Sequence, residues 1–348
     1  MLITILILLS IYALIVTGLL FRARKQNQSS ELDHDVALKK RQAMMADTIE
    51  QKADEAMNLH HSFHKFVPRQ FIDHFAKSGE GSLELGRADE DRVAVLFCDI
   101  RGFTSLSEKM SPQELMHFLN SYFLRMNAPI HHNKGFIDKF IGDAIMALFD
   151  NPNGQDADKA ADALNAAFEI QTALNLYNEH RAKSDYHAVK NGIGLHFGPV
   201  VLGTVGSDDR MDTTVIGDTV NIAQRLESLC TYFNVDIIAS ESTVLLAKEC
   251  TDIEYRLLDN IHLRGKSVSI AVVEVLSHLP IDEKSLKLKA AEAINIGIEA
   301  RTKGDVQGAL KHFERHEGLF PNDLAISHHI RTCEMILKDP QWNGQVSV

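Results

Sequence analysis

Three patterns of apolar and polar positions follow one another along the chain. Leu2 to Phe21 is an uncharged, mostly aliphatic run, long enough to cross a bilayer, for which about 20 residues suffice. Arg22, Arg24 and Lys25 follow at once, and under the positive-inside rule they keep the remainder cytoplasmic. This predicts a single-pass anchor over residues 1–22 in the inner or cytoplasmic membrane. A cleaved signal peptide is the rival reading, but no basic region precedes the run and no clear small-residue cleavage site follows it. Residues 23–66 are polar, helix-favouring and glycine-free from about Ser30. Leu38, Gln42, Met45, Ile49, Lys52, Ala56, Leu59, Phe63 and Phe66 fall on alternating spacings of four and three, compatible with a short parallel coiled coil. A solvated signalling helix that pairs only conditionally is the alternative. Pro68 breaks that helix, and residues 67–91, with Gly79, Gly81 and Gly86, read as a lead-in element.

Residues 92–278 alternate between strand and helix patterns. Val93 to Cys98 is continuously apolar, as in a strand buried on both faces. Ser111-Pro112-Gln113-Glu114 is a capping box with proline at the first helical position, predicting a helix to about Ala128. Gly135 to Phe149 fits a β-hairpin with Gly142-Asp143 at its tip. Further expectations are a helix over about Ala157 to Ala182, a second hairpin of Val189 to Phe197 and Val200 to Val205 around Gly198-Pro199, a helix from Asp218, and strands at Asp236 to Ala239 and Val268 to Val275. This order gives an α+β sandwich, not an all-parallel sheet. After about Pro280 only helical patterns remain: a helical annex over 279–340 and a tail over 341–348. Within the annex Gly304 to Pro321, holding Ala309, Leu310 and Phe313, resembles part of one tetratricopeptide repeat. One such unit buries little alone, so it is expected to pack on the preceding domain or a partner copy.

Composition adds bounds. The chain has 348 residues and a net charge of −11, with no basic stripe beyond the one after the apolar run, which argues against nucleic-acid binding. Cys98, Cys230, Cys250 and Cys333 lack metal spacing and read as reduced thiols. His60 with His64, and His312 with His316, have helical metal spacing but no third ligand, so they read as surface histidines.

The candidate chemistry lies in three segments. Asp99, in Phe97-Cys98-Asp99-Ile100-Arg101-Gly102-Phe103-Thr104, sits at the carboxyl end of a strand, where ligands bind in open α/β sheets. Gly102 lets backbone approach a phosphate before a helix near Thr104. Asp143 sits on the hairpin tip of Phe140-Ile141-Gly142-Asp143-Ala144. Two carboxylates sharing a site repel unless a divalent cation neutralises them; a helix cap and a plain turn are the alternatives. The third segment runs from Thr213 to Glu227, where Asn221 and Arg225 lie four apart on one helix face. A solvated polar stripe is the alternative there.

Together these segments resemble the class III nucleotidyl cyclase catalytic domain, from about Val93 to about Val275. The resemblance implies a ferredoxin-like α+β sandwich and an adenylate cyclase that converts ATP to 3′,5′-cyclic AMP and pyrophosphate in intracellular signalling. It implies two Mg²⁺ or Mn²⁺ ions per active site, held by Asp99, Asp143 and the main-chain carbonyl of Ile100. Asn221 would position the ribose and Arg225 stabilise charge on the phosphates. Gly102, Phe103 and Thr104 would contact the triphosphate, and Lys266, in Leu263-Arg264-Gly265-Lys266, resembles a further contact from the family's late basic loop. Lys139 and Thr214 would read the purine edge, a lysine only donating and a threonine hydroxyl donating and accepting. That pair points to ATP and to the threonine-bearing bacterial subclass, whose members often respond to bicarbonate; a protein regulator is the other input. Because metal aspartates and the Asn/Arg pair serve one site from opposite subunits in the family, a homodimer with two composite sites is implied. The alternatives are a guanylate cyclase, and a non-catalytic cyclase-like regulatory module. The Gly-Gly-Asp/Glu-Glu-Phe signature of diguanylate cyclases is absent.

Overall fold

The computed structural model describes residues 2–63, 68, 86, 88–207, 209–262 and 269–339, with the side chains of 12–22, 24–25 and 38–59 in its first helix. Two compact units divide the chain, Met1–Val67 and Pro68–Val348.

The first unit is one helix, α1, Leu2–Phe63. Among the described residues no helix is long and apolar enough to cross a membrane. This overturns the expected single-pass anchor and the inner-membrane location built on it. Tyr12 to Phe21, the described part of the apolar run, continues without a break into Arg22, Arg24 and Lys25 of the same helix. Over the residues whose side chains are described, the uncharged stretch is therefore shorter than the roughly 20 residues a bilayer demands. Leu38, Met45, Ile49 and Leu59 are exposed along α1. The segment around Phe66, most of the lead-in element, the basic loop and the tail lie outside the described residues.

The second unit is built on an eight-stranded sheet. Its elements are β1 Ala88–Ile100, α2 Phe103–Ser107, α3 Pro112–His132, β2 Phe136–Ile141, β3 Ala144–Phe149, α4 Asp156–Ala182, β4 Asn191–Ser207, β5 Arg210–Ile216, α5 Asp218–Phe233, β6 Ile237–Ser240, α6 Glu241–Ala247, β7 Tyr255–Ile261, β8 Ile270–Val275, α7 Ile281–Thr302, α8 Val306–Glu317 and α9 Leu324–Lys338. The strand order is β2-β3-β1-β4-β6-β8-β7, with β5 paired to β4. β1 lies between antiparallel β3 and β4, and the pleat sends its residues alternately to the two faces. Ala94, Leu96 and Cys98 pack with α3, α4 and α6, while Val93, Val95 and Phe97 pack with Val200, Val215 and Ala223. That double burial is why the run carries no polar alternation. Ser111 and Glu114 cap α3 reciprocally, as the sequence predicts, and the helix extends past Pro129 to His132.

β4 departs from expectation. The predicted second hairpin is a single strand of 17 residues that runs straight through Gly198-Pro199. Proline is tolerated because, among the described residues, β4 has no second neighbour there: β6 pairs Ile193–Leu195 and β5 pairs Val201–Ser207, so the missing N–H falls at an edge-like position. The same dipeptide seats α5, since the Thr219 hydroxyl donates to the Pro199 carbonyl at 2.7 Å.

The annex shares a core with α5. Leu226, Leu229 and Phe233 of α5 pack with Ile294, Phe313 and Ile326 of α7, α8 and α9. Buried charges tie it to the sheet. Arg256 of β7 bridges Glu274 at 2.6 Å and Asp323 ahead of α9, and Lys287 of α7 also reaches Glu274. Breaking one partner of such a pair leaves an uncompensated charge in the interior.

The approach of α5 to the sheet is set by Gly194. A Cβ there would lie 2.2 Å from the Glu227 amide nitrogen and 2.3 Å from the Ala223 carbonyl, both helix backbone that cannot swing aside. Gly194→Ala should destabilise the protein by about 1–3 kcal/mol, the range for overpacking, in thermal unfolding. Gly318→Ala, where nothing lies within 4 Å, should leave the midpoint nearly unchanged; equal effects would contradict this packing account.

Candidate active site

Alternation along β1 places Asp99 on the face of Val93, Val95 and Phe97, in register with Gly192 of β4. That face is covered by α5. β3 pairs β1 up to Cys98↔Ile145, so the β2–β3 tip projects just beyond Asp99. At that tip Gly142 takes φ 65, a conformation glycine adopts without strain, and turns Asp143 toward Asp99. Burial first, and then a side-chain hydrogen bond and charge repulsion from Asp99, push the Asp143 carboxyl up to about 7. The Ile100 amide donates to Asp99 Oδ1 at 2.8 Å.

A third carboxylate joins them. Glu227 of α5 is pushed up to about 7 by burial and by the charges of Asp99 and Asp143, with Arg101 opposing. Arg101 donates to Asn234 Oδ1 at 3.2 Å and to the Val235 carbonyl beyond the end of α5. Three acidic groups crowded on one strand end, with one guanidinium engaged elsewhere, form a set of hard oxygen donors that a divalent cation would relieve. Asp99 and Asp143 are the pair in mutual contact and therefore the fitting ligands, with Glu227 behind them.

Lys139 of β2 and Thr214 of β5 are 75 residues apart in sequence, and the fold joins them: Lys139 Nζ donates to Thr214 Oγ1 at 3.0 Å. Asn221 and Arg225 are elsewhere on α5. Ala223 and Glu227 press on Gly194, and two residues earlier is about 200° around a helix. Asn221 and Arg225 therefore project from the face turned away from the sheet, where Asn221 is exposed. Gly102 is left-handed, with φ 67, at the start of α2; Phe103 is half-buried and Thr104 exposed. Lys266 lies outside the described residues.

Sequence reading missed Glu227 and the glycines opposite it. The signal was a carboxylate in the apolar register of α5, four residues after Ala223, facing alternate glycines on a strand. A second cluster, of one aspartate and two histidines, is not a comparable site. Asp259, His328 and His329 are close enough to share a metal ion, but their polar atoms are spent. His328 contacts Tyr232 at 3.0 Å and Asp259 at 2.9 Å, His329 donates to the Leu258 carbonyl at 2.8 Å, and Arg301 lies against both Asp259 and His329. Burial drives the His329 imidazole down to about 3. The cluster fastens α9 to β7 and to the end of α5. A groove of about 600 Å³ between α3 and α4, lined by residues such as Leu124, Pro129, Leu176 and Tyr177, contains none of the site residues.

Residues 86–275 match the family described as Adenylate and Guanylate cyclase catalytic domain. The chain is 43% identical over 219 residues to "Adenylate cyclase" of Anabaena cylindrica, covering 62% of this chain and 42% of the relative. It is 33% identical over 275 residues to "Adenylate cyclase, terminal-differentiation specific" of Dictyostelium discoideum, covering 79% of this chain and 13% of the relative. The chain thus spans less than half the length of these curated relatives. The crystal structure of the adenylyl cyclase CyaB from P. aeruginosa superposes with a TM-score of 0.50 at 29% identity, over 56% of this chain and 100% of that one.

The crowding of Asp99 and Asp143 has a measurable cost. At pH 8, above the value to which the Asp143 carboxyl is pushed, Asp143→Asn should raise the unfolding midpoint of the metal-free protein by about 2–4 °C, the shift roughly 1 kcal/mol gives in a domain of this size. The same variant should lose the midpoint increase that Mn²⁺ gives the unaltered protein. A variant that is destabilised and still stabilised by Mn²⁺ would contradict the assignment.

Proposed function

The chain belongs to the adenylate and guanylate cyclase catalytic domain family, and from that premise we propose that it is an adenylate cyclase forming 3′,5′-cyclic AMP and pyrophosphate from ATP, acting as a homodimer. The observation that carries the dimer is the two-sidedness of α5. Its inner face stands over Asp99 and Asp143 through Glu227, while Asn221 and Arg225 project outward and reach the carboxylates of a second copy instead of their own. Asp99 and Asp143 of one protomer then face Lys139, Thr214, Asn221 and Arg225 of its partner. Exposed Phe140, Ile141, Met211 and Ile216 rim the strands that carry Lys139 and Thr214, as expected for a surface covered by another protomer. The exposed Leu38, Met45, Ile49 and Leu59 of α1 offer a parallel pairing seam to the same copy.

Two divalent cations, Mg²⁺ or Mn²⁺, held by Asp99, Asp143 and the Ile100 carbonyl, would supply activation of the ribose 3′-hydroxyl and charge neutralisation at the β- and γ-phosphates. The protein's own groups do the rest. Asn221 orients the ribose so that its 3′ oxygen lies in line with the α-phosphorus. Arg225 receives the negative charge that builds as pyrophosphate leaves, a role suited to a planar two-pronged donor. The backbone of Gly102, Phe103 and Thr104, together with Lys266, contacts the triphosphate.

The Lys139–Thr214 contact at 3.0 Å supports adenine over guanine and the threonine-bearing subclass. The paired groups present N–H and O–H donors, with one oxygen lone pair remaining, to the ring nitrogen and exocyclic amine of adenine. A guanylate cyclase would share the remaining chemistry and is the second reading. A non-catalytic regulatory module is less well supported, because both carboxylates and the Asn/Arg pair are retained. Bicarbonate or a protein acting through the annex are the candidate regulators.

With Mn²⁺ and ATP the purified chain should yield cyclic AMP, and Asp143→Asn should reduce the rate by about 100-fold or more, the scale on which losing a preorganised charge partner acts. Product analysis by chromatography checks this. Cyclic GMP from GTP alone would overturn the base assignment, and no product from a demonstrably dimeric protein would favour the regulatory module.

A further inference from the structure

Beside the Lys139–Thr214 pair lies a residue that this reading does not use. β2 pairs β3 through Phe136↔Leu148 and Ile137↔Ala147, then resumes at Lys139↔Met146, so Asp138 is the extra residue of a β-bulge. In a regular strand adjacent side chains point to opposite faces, whereas a bulge re-aims one of them. Here it brings Asp138 Oδ2 to 3.5 Å from Lys139 Nζ. The Asp138 side chain is 0% exposed, and among the described residues neither of its carboxylate oxygens has a hydrogen-bond partner. A buried acceptor left unpaired is costly and rare in native proteins. Burial pushes this carboxyl up to about 6, with Lys139 opposing and Asp212 adding to the rise.

The geometry around the ammonium explains what such a group is for. Of the three N–H donors of Lys139, one is given to Thr214 at 3.0 Å. Asp138 at 3.5 Å and Asp212 at 3.8 Å attract the charge from beyond good hydrogen-bond distance, so they hold the ammonium without consuming its other donors. We propose that Asp138 is a positioning residue for nucleotide selection: its buried carboxylate, re-aimed by the β2 bulge, fixes the Lys139 ammonium against Thr214 with donors free for the adenine ring nitrogen, and so sets the preference for adenine over guanine. A lysine released from this hold reaches the guanine carbonyl as readily as the adenine nitrogen. The inference rests on the cyclase reading above and deepens it.

The test compares ATP and GTP as substrates of the full chain and of Asp138→Asn, Lys139→Met and the double variant, with Mn²⁺. Asp138→Asn keeps the shape and removes the charge. It should lower the ATP:GTP ratio of kcat/KM by about tenfold, chiefly through a higher KM for ATP, with kcat within about threefold. Its unfolding midpoint should not fall, because burial disfavours the Asp138 carboxylate by more than Lys139 offsets. In the Lys139→Met background it should change the ratio no further. A ratio unchanged within about twofold, an equal loss for both nucleotides, or additive effects of the two substitutions on the ratio would overturn the proposal. Absence of any cyclic product from the unaltered chain would contradict the cyclase reading instead. The inference would then be decided by calorimetric Kd values for ATP and GTP, where the same tenfold loss of preference in Asp138→Asn supports it and an unchanged ratio overturns it.

Discussion

The site depends on how closely helix α5 lies on strand β4. Gly192, Gly194 and Gly198 leave no side chain between them and the helix, and Glu227, Ala223, Cys230 and Thr219 occupy the room that Cβ atoms would fill. At that spacing Glu227 reaches the end of β1, and Arg101 reaches back to the loop after α5. The orientation of the whole helix is thereby fixed, including the outward face that carries Asn221 and Arg225. The annex reinforces the same helix from the other end, through Tyr232 and His328 and a shared core. Positioning of the outward pair is thus bought twice, by glycines on one side and by a buried polar cluster on the other.

Acidic groups concentrate at two places where the described basic groups offset their charge only in part, Arg101 at one and Lys139 at the other. Asp99, Asp143 and Glu227 stand together at one strand end, and Asp138 is buried beside Lys139. Both arrangements cost stability in the isolated fold, while the Asp259 and Arg256 networks next to the annex are paired throughout. The contrast separates groups retained for ligands from groups retained for architecture. Natural sites carry such local costs where charge must meet charge from a substrate or cation.

Much of this was legible in the residues. The apolar run of β1, the Gly142-Asp143 tip, the capping box at Ser111 and the helix after Gly217 all rest on local patterns, and the structure has each in place. The join between Lys139 and Thr214 also followed from the family resemblance. What was not legible depended on tertiary context. Gly198-Pro199 looks like a turn until the gap between β5 and β6 makes proline tolerable within β4. Glu227 reads as one more polar helix residue until the glycines opposite it are known. The expected membrane anchor is overturned because no described helix is long and apolar enough to cross a membrane. The bulge at Asp138 leaves no trace in composition at all, since it is a property of two strands and not of one.

In the proposed dimer each active site is assembled from two copies of the chain, with the carboxylates of one facing the Asn/Arg pair of the other. Mixing two inactive full-length variants, Asp143→Asn and Arg225→Ala, tests it most directly. The mixed dimer holds one site damaged twice and one intact, so each variant alone should be inactive and the mixture should recover up to about a quarter of the unaltered rate, half the dimers being mixed with one of two sites working. A mixture as inactive as its components, with subunit exchange demonstrated, would contradict the account.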